Sequence, residues 1–321
     1  MVYIGIDLGG TNIAVGIVDE SGDILCKGST PTLLPRPYAP VIEDMARVSL
    51  ETLEKSGYTL DDVAAIGVGV PGMADSAAGF IPFCTNLGWH DVPFTKEFHR
   101  YIDKPVFIDN DATVAGFAES VAGVSKSAKS SVFLTLGTGL GGGIIIDGKP
   151  YSGAHNIGSE LGHFIIEMDG ELCSCGMRGC FERYASATAL IREARRALAQ
   201  HPESLMGEMC GHDPARMTGK IAIDAAREGD PIAQKVFRRY TYALAVGIVS
   251  IINFISPEMV VLGGGVSLAG DFLLDAVREA LEPMIFFKTL PYAQVKLAKL
   301  GPDAGIIGAA MLGKPSGQAT A

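Results

Sequence analysis

Ser131-Val132-Phe133-Leu134-Thr135-Leu136-Gly137-Thr138-Gly139-Leu140-Gly141-Gly142-Gly143-Ile144-Ile145-Ile146-Asp147-Gly148 is the stretch on which the fold class turns. The run up to Leu136 is apolar enough for a buried strand. The Gly/Thr run reads as a turn, Ile144 to Ile146 as a second strand, and Asp147-Gly148 as a tight turn. The chain opens on the same order of events: a strand from Val2 to Ile6, then Gly9 and Gly10, a strand from Ile13 to Val18, and Glu20-Ser21-Gly22-Asp23 ahead of Ile24-Leu25. Leu8-Gly9-Gly10-Thr11 stands where Leu136-Gly137-Thr138-Gly139 stands. A meander written twice predicts two related α/β halves.

The segments around these meanders alternate in type, as an α/β sheet protein requires. Val41 to Lys55 has helical spacing, Ala64 to Val70 reads as a buried strand closed by Pro71-Gly72, and Pro105 to Ile108 as a strand ahead of a helix from Ala112 to Val121. Glu160 to Glu182 is irregular, and Ala185 to Tyr242 is mostly helical. A strand at Met259 to Leu262, a helix at Phe272 to Leu281, a strand at Gln294 to Leu297 and a helix at Gly305 to Leu312 complete the chain.

Of the 321 residues, 48% are hydrophobic and 19% charged, which excludes a disordered or fibrous chain. The 40 Gly, beside 17 Pro and without a Gly-X-Y period, point to backbone turns with a role. A formal charge of −10 argues against nucleic acid as a partner. It leaves room for a nucleotide held by backbone N–H groups and a metal ion. Asp7 and the lack of a basic leader speak against a signal peptide. The most apolar stretch, Ala243 to Ile255, is shorter than the ~20 residues of a membrane span. The expectation is a cytoplasmic protein without membrane attachment.

His163, Cys173, Cys175 and Cys180 place four zinc-type ligands within eighteen residues. Cys₃His is a closed tetrahedral zinc set, and Gly176 and Gly179 let the loop turn back. The other readings are a disulfide or three free thiols, a redox liability in the cytosol. Cys26, Cys84 and Cys210 stand alone and read as packing residues. Two G-x-G-x-x-G matches, Gly67 to Gly72 and Gly137 to Gly142, lack the strand-then-helix context of a dinucleotide fingerprint. What remains is Asp7 with Gly9, Gly10 and Thr11 in one hairpin, Thr138-Gly139 in the other, and a third turn, Gly263-Gly264-Gly265, between a strand and a helix. Each suits backbone approach to phosphate, with Asp7 near a Mg²⁺. Asp111, after a strand and at a helix start, is placed to accept a hydroxyl proton; its other reading is a plain helix N-cap.

In order along the chain, Asp7-x-Gly9-Gly10-Thr11, Asp109-Asn110-Asp111, Leu136-Gly137-Thr138-Gly139-x-Gly141-Gly142-Gly143, Glu160-x-Gly162-His163 and Cys173-x-Cys175-Gly176-x-x-Gly179-Cys180-x-Glu182 resemble the ROK family of repressors and sugar kinases, above all its bacterial glucokinases. The resemblance implies an actin-like (ribonuclease H-like) two-domain α/β kinase fold with the sugar in a cleft. It implies domains over 1–111, completed by 303–321, and 112–302, the second bearing the zinc loop 160–182. It implies a structural zinc on His163, Cys173, Cys175 and Cys180, and ATP with Mg²⁺ as co-substrate. It further implies Asp111 as catalytic base, Asn86, Asn110, Asp111, Glu160, His163 and Glu182 on the sugar, and a homodimer or homotetramer. The nucleotide contacts it implies are Asp7, Gly9, Gly10, Thr11, Asn12, Gly137, Thr138, Gly139, Gly263, Gly264 and Gly265. Asn12 departs from the Lys frequent in the family, which removes a charged contact there. The family's repressors carry a helix-turn-helix ahead of the phosphate hairpin; here that hairpin begins at once. Phosphorylation of glucose to glucose 6-phosphate is the leading activity, with N-acetylmannosamine, mannose, allose or fructose as rivals. A non-catalytic sugar sensor and a zinc-stabilised interaction module are the competing classes.

Overall fold

The computed structural model describes residues 1–155 and 158–314. In chain order the elements are β1 (Val2–Leu8), β2 (Asn12–Val18), β3 (Ile24–Pro31), α1 (Tyr38–Ser56), β4 (Val63–Val70), β5 (Met73–Asp75), β6 (Phe80–Cys84), β7 (Trp89–Val92), α2 (Phe94–Phe98), β8 (Val106–Asn110) and α3 (Asp111–Val121). There follow β9 (Ser130–Leu136), β10 (Leu140–Ile146), β11 (Lys149–Pro150), α4 (Glu182–Ala185), α5 (Ala187–Gln200), α6 (Leu205–Met209), α7 (Gly219–Arg227), α8 (Pro231–Ile255), β12 (Met259–Gly263), α9 (Asp271–Leu281), β13 (Gln294–Leu297) and α10 (Ala304–Leu312). Among the described residues two compact units result: 1–130, 143–155, 158–159 and 299–314, and 131–142 with 160–298. Residues 315–321, which the sequence reading gave to the first domain, lie outside the described residues.

In the first unit the sheet runs β3-β2-β1-β4-β8, with β1, β4 and β8 parallel. β1 is buried on both faces, which is why Val2 to Ile6 is continuously apolar. Val41, Ile42, Met45, Val48 and Leu53 of α1 join the larger apolar cluster with Ile4, Ile6, Val15 and Ile66. A second cluster gathers Tyr3, Val18 and Ala65 with Ala118 of α3 and Ile306, Ile307 and Ala310 of α10. Two glycines make that packing possible. A Cβ at Gly67 would lie 1.7 Å from the Ala309 carbonyl oxygen, and one at Gly308 would lie 1.9 Å from that of Val114. α10 therefore rests directly on β4 and α3.

In the second unit β12 lies between β9 and β13, parallel to both, and β10, of which only residues 140–142 belong to this unit, continues the sheet beyond β9. Its helices start on side-chain caps that the sequence supplies: Ser186 for α5, Ser204 for α6, Thr218 for α7 and Asp230 for α8. The apolar stretch Ala243 to Ile255 is the C-terminal half of α8, and no described helix is long and apolar enough to cross a membrane.

The strand orders β3-β2-β1-β4-β8 and β11-β10-β9-β12-β13 are the same topology written twice, as the repeated meander predicted. Three features differ from the sequence reading. Gly141, Gly142 and Gly143 belong to β10, which starts at Leu140 rather than Ile144. The antiparallel sheet β5-β6-β7 was not anticipated. The helix 111–121, expected at the head of the second domain, falls within the first unit, because it packs against α10. Neither G-x-G-x-x-G match opens a helix: the first runs from β4 into β5, the second into β10.

Candidate active site

The first unit gathers Asn86, Asn110 and Asp111 at the ends of β4, β6 and β8. Asn110 is the N-cap of α3: its side-chain oxygen accepts from the Ala112 and Thr113 N–H groups, and its Nδ2 donates to the Gly72 carbonyl at 3.1 Å. Capping is thus done by Asn110, and Asp111 follows it as the first residue of the helix, exposed to solvent. The helix N-terminus favours the ionised form of such a carboxylate. One N–H of the Asn110 amide remains for a ligand. Cys84 lies beneath, donating to the Pro71 carbonyl at 3.0 Å. Burial raises its pKa; the Asn86 and Leu87 N–H groups counter that, and the negative charge of Asp111 adds to it. Asn86, Asn110 and Asp111 therefore share one neighbourhood, with Asn86 exposed on the turn Thr85–Leu87.

Asp109, which the sequence reading quoted in the Asp109-Asn110-Asp111 run but gave no role, is 5% exposed and sits behind them. Its carboxylate accepts from the Asn110 N–H at 2.8 Å and from the Ser152 hydroxyl. Burial outweighs both hydrogen bonds and pushes its pKa up to about 6. A folded pKa above the unfolded value means that the native state holds the proton between about pH 4 and 6. The ionised group costs stability progressively as pH rises through that window, reaching at most about 3 kcal/mol above it. Asp109→Asn is expected to raise the unfolding free energy by about 1–3 kcal/mol at pH 7.5 and by nothing near pH 4. Urea titrations across that range check it, and equal stability of the two proteins at pH 7.5 would contradict it.

The first Gly/Thr hairpin joins β1 to β2. The Gly9 N–H donates to the Asn12 carbonyl at 2.9 Å, and the Thr32 hydroxyl donates to the Gly9 carbonyl at 2.7 Å, leaving Gly10, Thr11 and Asn12 exposed. Asp7, at the end of β1, is half-buried, and its desolvation raises its pKa. A Cβ at Gly305 would come within 2.5 Å of the Asp7 carboxylate, so a glycine at the start of α10 keeps that space open.

The second unit holds the other turns. The Gly137 N–H donates to the Gly139 carbonyl at 3.1 Å, and α5 braces the turn from its N-terminus: the Ala187 N–H reaches Gly137 O and the Thr188 hydroxyl reaches Thr138 O. Gly264, at φ 82°, lies against Leu136, where a Cβ would meet backbone at 2.6 Å. Gly263, Gly264 and Gly265 thus adjoin the Gly137-Thr138-Gly139 turn. Beside Gly265 opens a cavity of about 330 Å³ lined by Gly219, Ile223, Arg227, Val266 and Leu268, large and apolar enough for a nucleoside base. The sequence reading marked only its Gly263-Gly264-Gly265 edge, because the other two segments that build it, at Ala187 and at Gly219 to Arg227, carry no motif.

The zinc-type ligands are brought together. One ligand atom from each of His163, Cys173, Cys175 and Cys180 falls within 4.8 Å of the others. His163 Nδ1 is 3.7 Å from Cys173 Sγ, and Cys175 and Cys180 are 3.5 Å apart. A tetrahedron with ~2.3 Å Zn–S bonds has edges of about 3.8 Å, so the set fits zinc. Burial and the neighbouring thiols push Cys180 up to about 12, the electrostatic load that a cation would relieve. With Nδ1 on the ion, His163 Nε2 points elsewhere. Glu182 borders the cluster: Oε1 is 3.9 Å from Cys173 Sγ, and Oε2 accepts from the Leu140 N–H at 3.0 Å. Burial raises the pKa of Glu160; His163 lowers it, and Glu182 raises it further. Glu160, His163 and Glu182 are therefore neighbours.

The model of the ROK family matches residues 3–315. Over 310 residues the chain is 38% identical to a glucokinase of Thermotoga maritima, which spans 96% of each chain. It is similar, at 34% identity and a TM-score of 0.83, to the crystal structure of a ROK family glucokinase from Streptomyces griseus in complex with glucose and AMPPNP, covering 97% of this chain and 99% of that one. A xylose repressor of Caldicellulosiruptor bescii is 27% identical over 95% of this chain and 76% of the repressor.

Proposed function

The chain belongs to the ROK family, and from that membership we propose that it is an ATP-dependent sugar kinase converting glucose to glucose 6-phosphate. Its fold is the actin-like α/β fold of that family's kinases. The observation that carries the reading is Asp111: a solvent-exposed carboxylate at the first position of α3, behind the Asn110 cap, in a chain 38% identical to a glucokinase over 96% of both lengths.

Phosphoryl transfer is chiefly positioning and charge stabilisation. Asp111 takes the proton of the attacking hydroxyl, and the α3 N-terminus keeps it ionised until then. Asn86, Asn110, Glu160, His163 and Glu182 are the candidate ligands of the remaining hydroxyls, the carboxylates by charge-assisted hydrogen bonds. The backbone of Gly9 to Asn12 and of Gly137 to Gly139 cradles the nucleotide's phosphates, and Gly263 to Gly265 leads to the cavity for its base. Asp7 fits the donor set of Mg²⁺, one carboxylate beside phosphate oxygens. A magnesium ion held there by Asp7 would supply the positive charge that offsets the charge developing on those oxygens. Zinc on His163, Cys173, Cys175 and Cys180 fixes the loop that presents Glu160 and Glu182.

The reading extends to a cytoplasmic protein of carbohydrate metabolism, assembled as a homodimer or homotetramer. Tyr242 and Phe254, 59% and 86% exposed on α8, are apolar surface available for assembly. The similarity to a xylose repressor supports a second reading, a sugar sensor without catalysis. A coupled ADP-release assay on the purified chain, over glucose, mannose, allose, fructose and N-acetylmannosamine, separates them. The highest kcat/KM is expected with glucose and ATP. A higher value for another sugar overturns glucose, and inertness toward all of them overturns the kinase.

A further inference from the structure

Glu119, eight residues beyond Asp111 on α3, is 0% exposed. Its carboxylate is fully engaged. Oε2 accepts from the Val124 N–H at 2.8 Å, and Oε1 accepts from the N–H groups of Lys299 and Leu300, each at 2.8 Å. The partners fall at particular points of the chain. Val124 opens the segment that leaves the first unit after Ser130, and Lys299 is the first residue back in it after Ala298. One side chain thus fastens the departing and the returning segment to the same helix. The surroundings are shaped for it. A Cβ at Gly123 would lie 1.9 Å from Glu119 Oε2, so a side chain is excluded there. The Glu119 carbonyl also accepts from the Gly123 and Ser125 N–H groups, which ties the departing segment to α3 a second time.

A buried carboxylate taking three backbone N–H groups is a strong fastening, because each bond is charge-assisted and no water competes. α3 carries this clasp at one end and Asp111 at the other, about 12 Å away along the axis at ~1.5 Å per residue. The returning segment leads into α10, whose Gly305 borders Asp7. We propose that Glu119 is a positioning residue for phosphoryl transfer, holding the helix of the base in fixed register with the segment that follows it and with the segment that leads into α10. This rests on the kinase reading and on Asp111 as its base. Displacements of ~1 Å remote from the chemistry cost as much as ~10² in rate, so the clasp acts on kcat through alignment rather than through affinity.

The test compares Glu119→Gln with the wild-type full chain. An amide in place of the carboxylate removes the charge and turns an N–H toward donors. Hydrogen exchange over peptides spanning Val124 and Lys299-Leu300 is expected to quicken at least ~10-fold, with β1 and β4 unchanged. kcat should fall ~10–100-fold, while KM for glucose and for ATP stays within about threefold. Gly123→Ala, which drives a methyl into the carboxylate without touching its charge, should behave alike and serves if Glu119→Gln does not fold. The proposal is overturned if exchange quickens and kcat stays within twofold of wild type. Unchanged exchange, or a fall in kcat matched by equal losses of both affinities and of protection throughout the unit, overturns it too. A wild-type chain inert toward every sugar would instead overturn the kinase reading, and the exchange measurement would still decide whether the clasp exists.

Discussion

Asp111→Asn is expected to lower kcat for glucose phosphorylation by at least ~10² while leaving the fold intact. The substitution is isosteric, and Asp111 is exposed on the first turn of α3, so no core packing is disturbed. The helix cap also survives, because Asn110 makes it. What is lost is a proton acceptor. An amide cannot take the hydroxyl proton, and without a destination for that proton the hydroxyl is a poor nucleophile. KM for glucose should change far less than kcat, since Asn retains hydrogen bonds to a hydroxyl. Steady-state kinetics beside a thermal melt measure both, and a variant with near wild-type kcat removes Asp111 from the role.

Cys175→Ala is expected to drop the zinc content below one per chain and to raise KM for glucose by ~10–100-fold, the range found when groups that orient a metal site are removed. Cys175 is the exposed member of the cluster, so its loss leaves no core cavity. The effect reaches the sugar through short connections. His163 and Cys173 are in contact, Cys173 borders Glu182, and Glu160 feels the charges of both His163 and Glu182. Glu182 also holds the Leu140 N–H, so loosening the loop disturbs β10 beside the Gly137-Thr138-Gly139 turn. Metal analysis with the kinetics decides. One zinc per chain with unchanged KM would show that the loop and the sugar are independent.

How much of this was legible in the sequence follows from the range of the interactions. The repeated meander could be read because strand, glycine turn and strand are each local, and the cluster of His163, Cys173, Cys175 and Cys180 because its members lie within eighteen residues. Asp111 was located by a strand that ends where a helix begins. The capping role was assigned less well: Asp111 and Asn110 are both good caps, and only backbone geometry shows that Asn110 does it. Gly141 to Gly143 read as a turn because glycine disfavours strands, yet their burial in β10 demands small residues. A Cβ at Gly143 would lie 2.8 Å from the Ala112 carbonyl. Asp109 and Glu119 were silent, since their partners Ser152, Lys299 and Leu300 are distant along the chain and none of them is unusual alone.

The resting of α10 on the first sheet has a consequence for biosynthesis. The face formed by Tyr3, Val18, Ala65 and Ala118 is covered by Ile306, Ile307 and Ala310. During translation the residues of that face leave the ribosome long before their cover. At ~5–20 residues per second, making the intervening ~180 residues takes roughly 10–40 s. For that interval the nascent N-terminal portion exposes a greasy surface that the growing chain cannot yet hide.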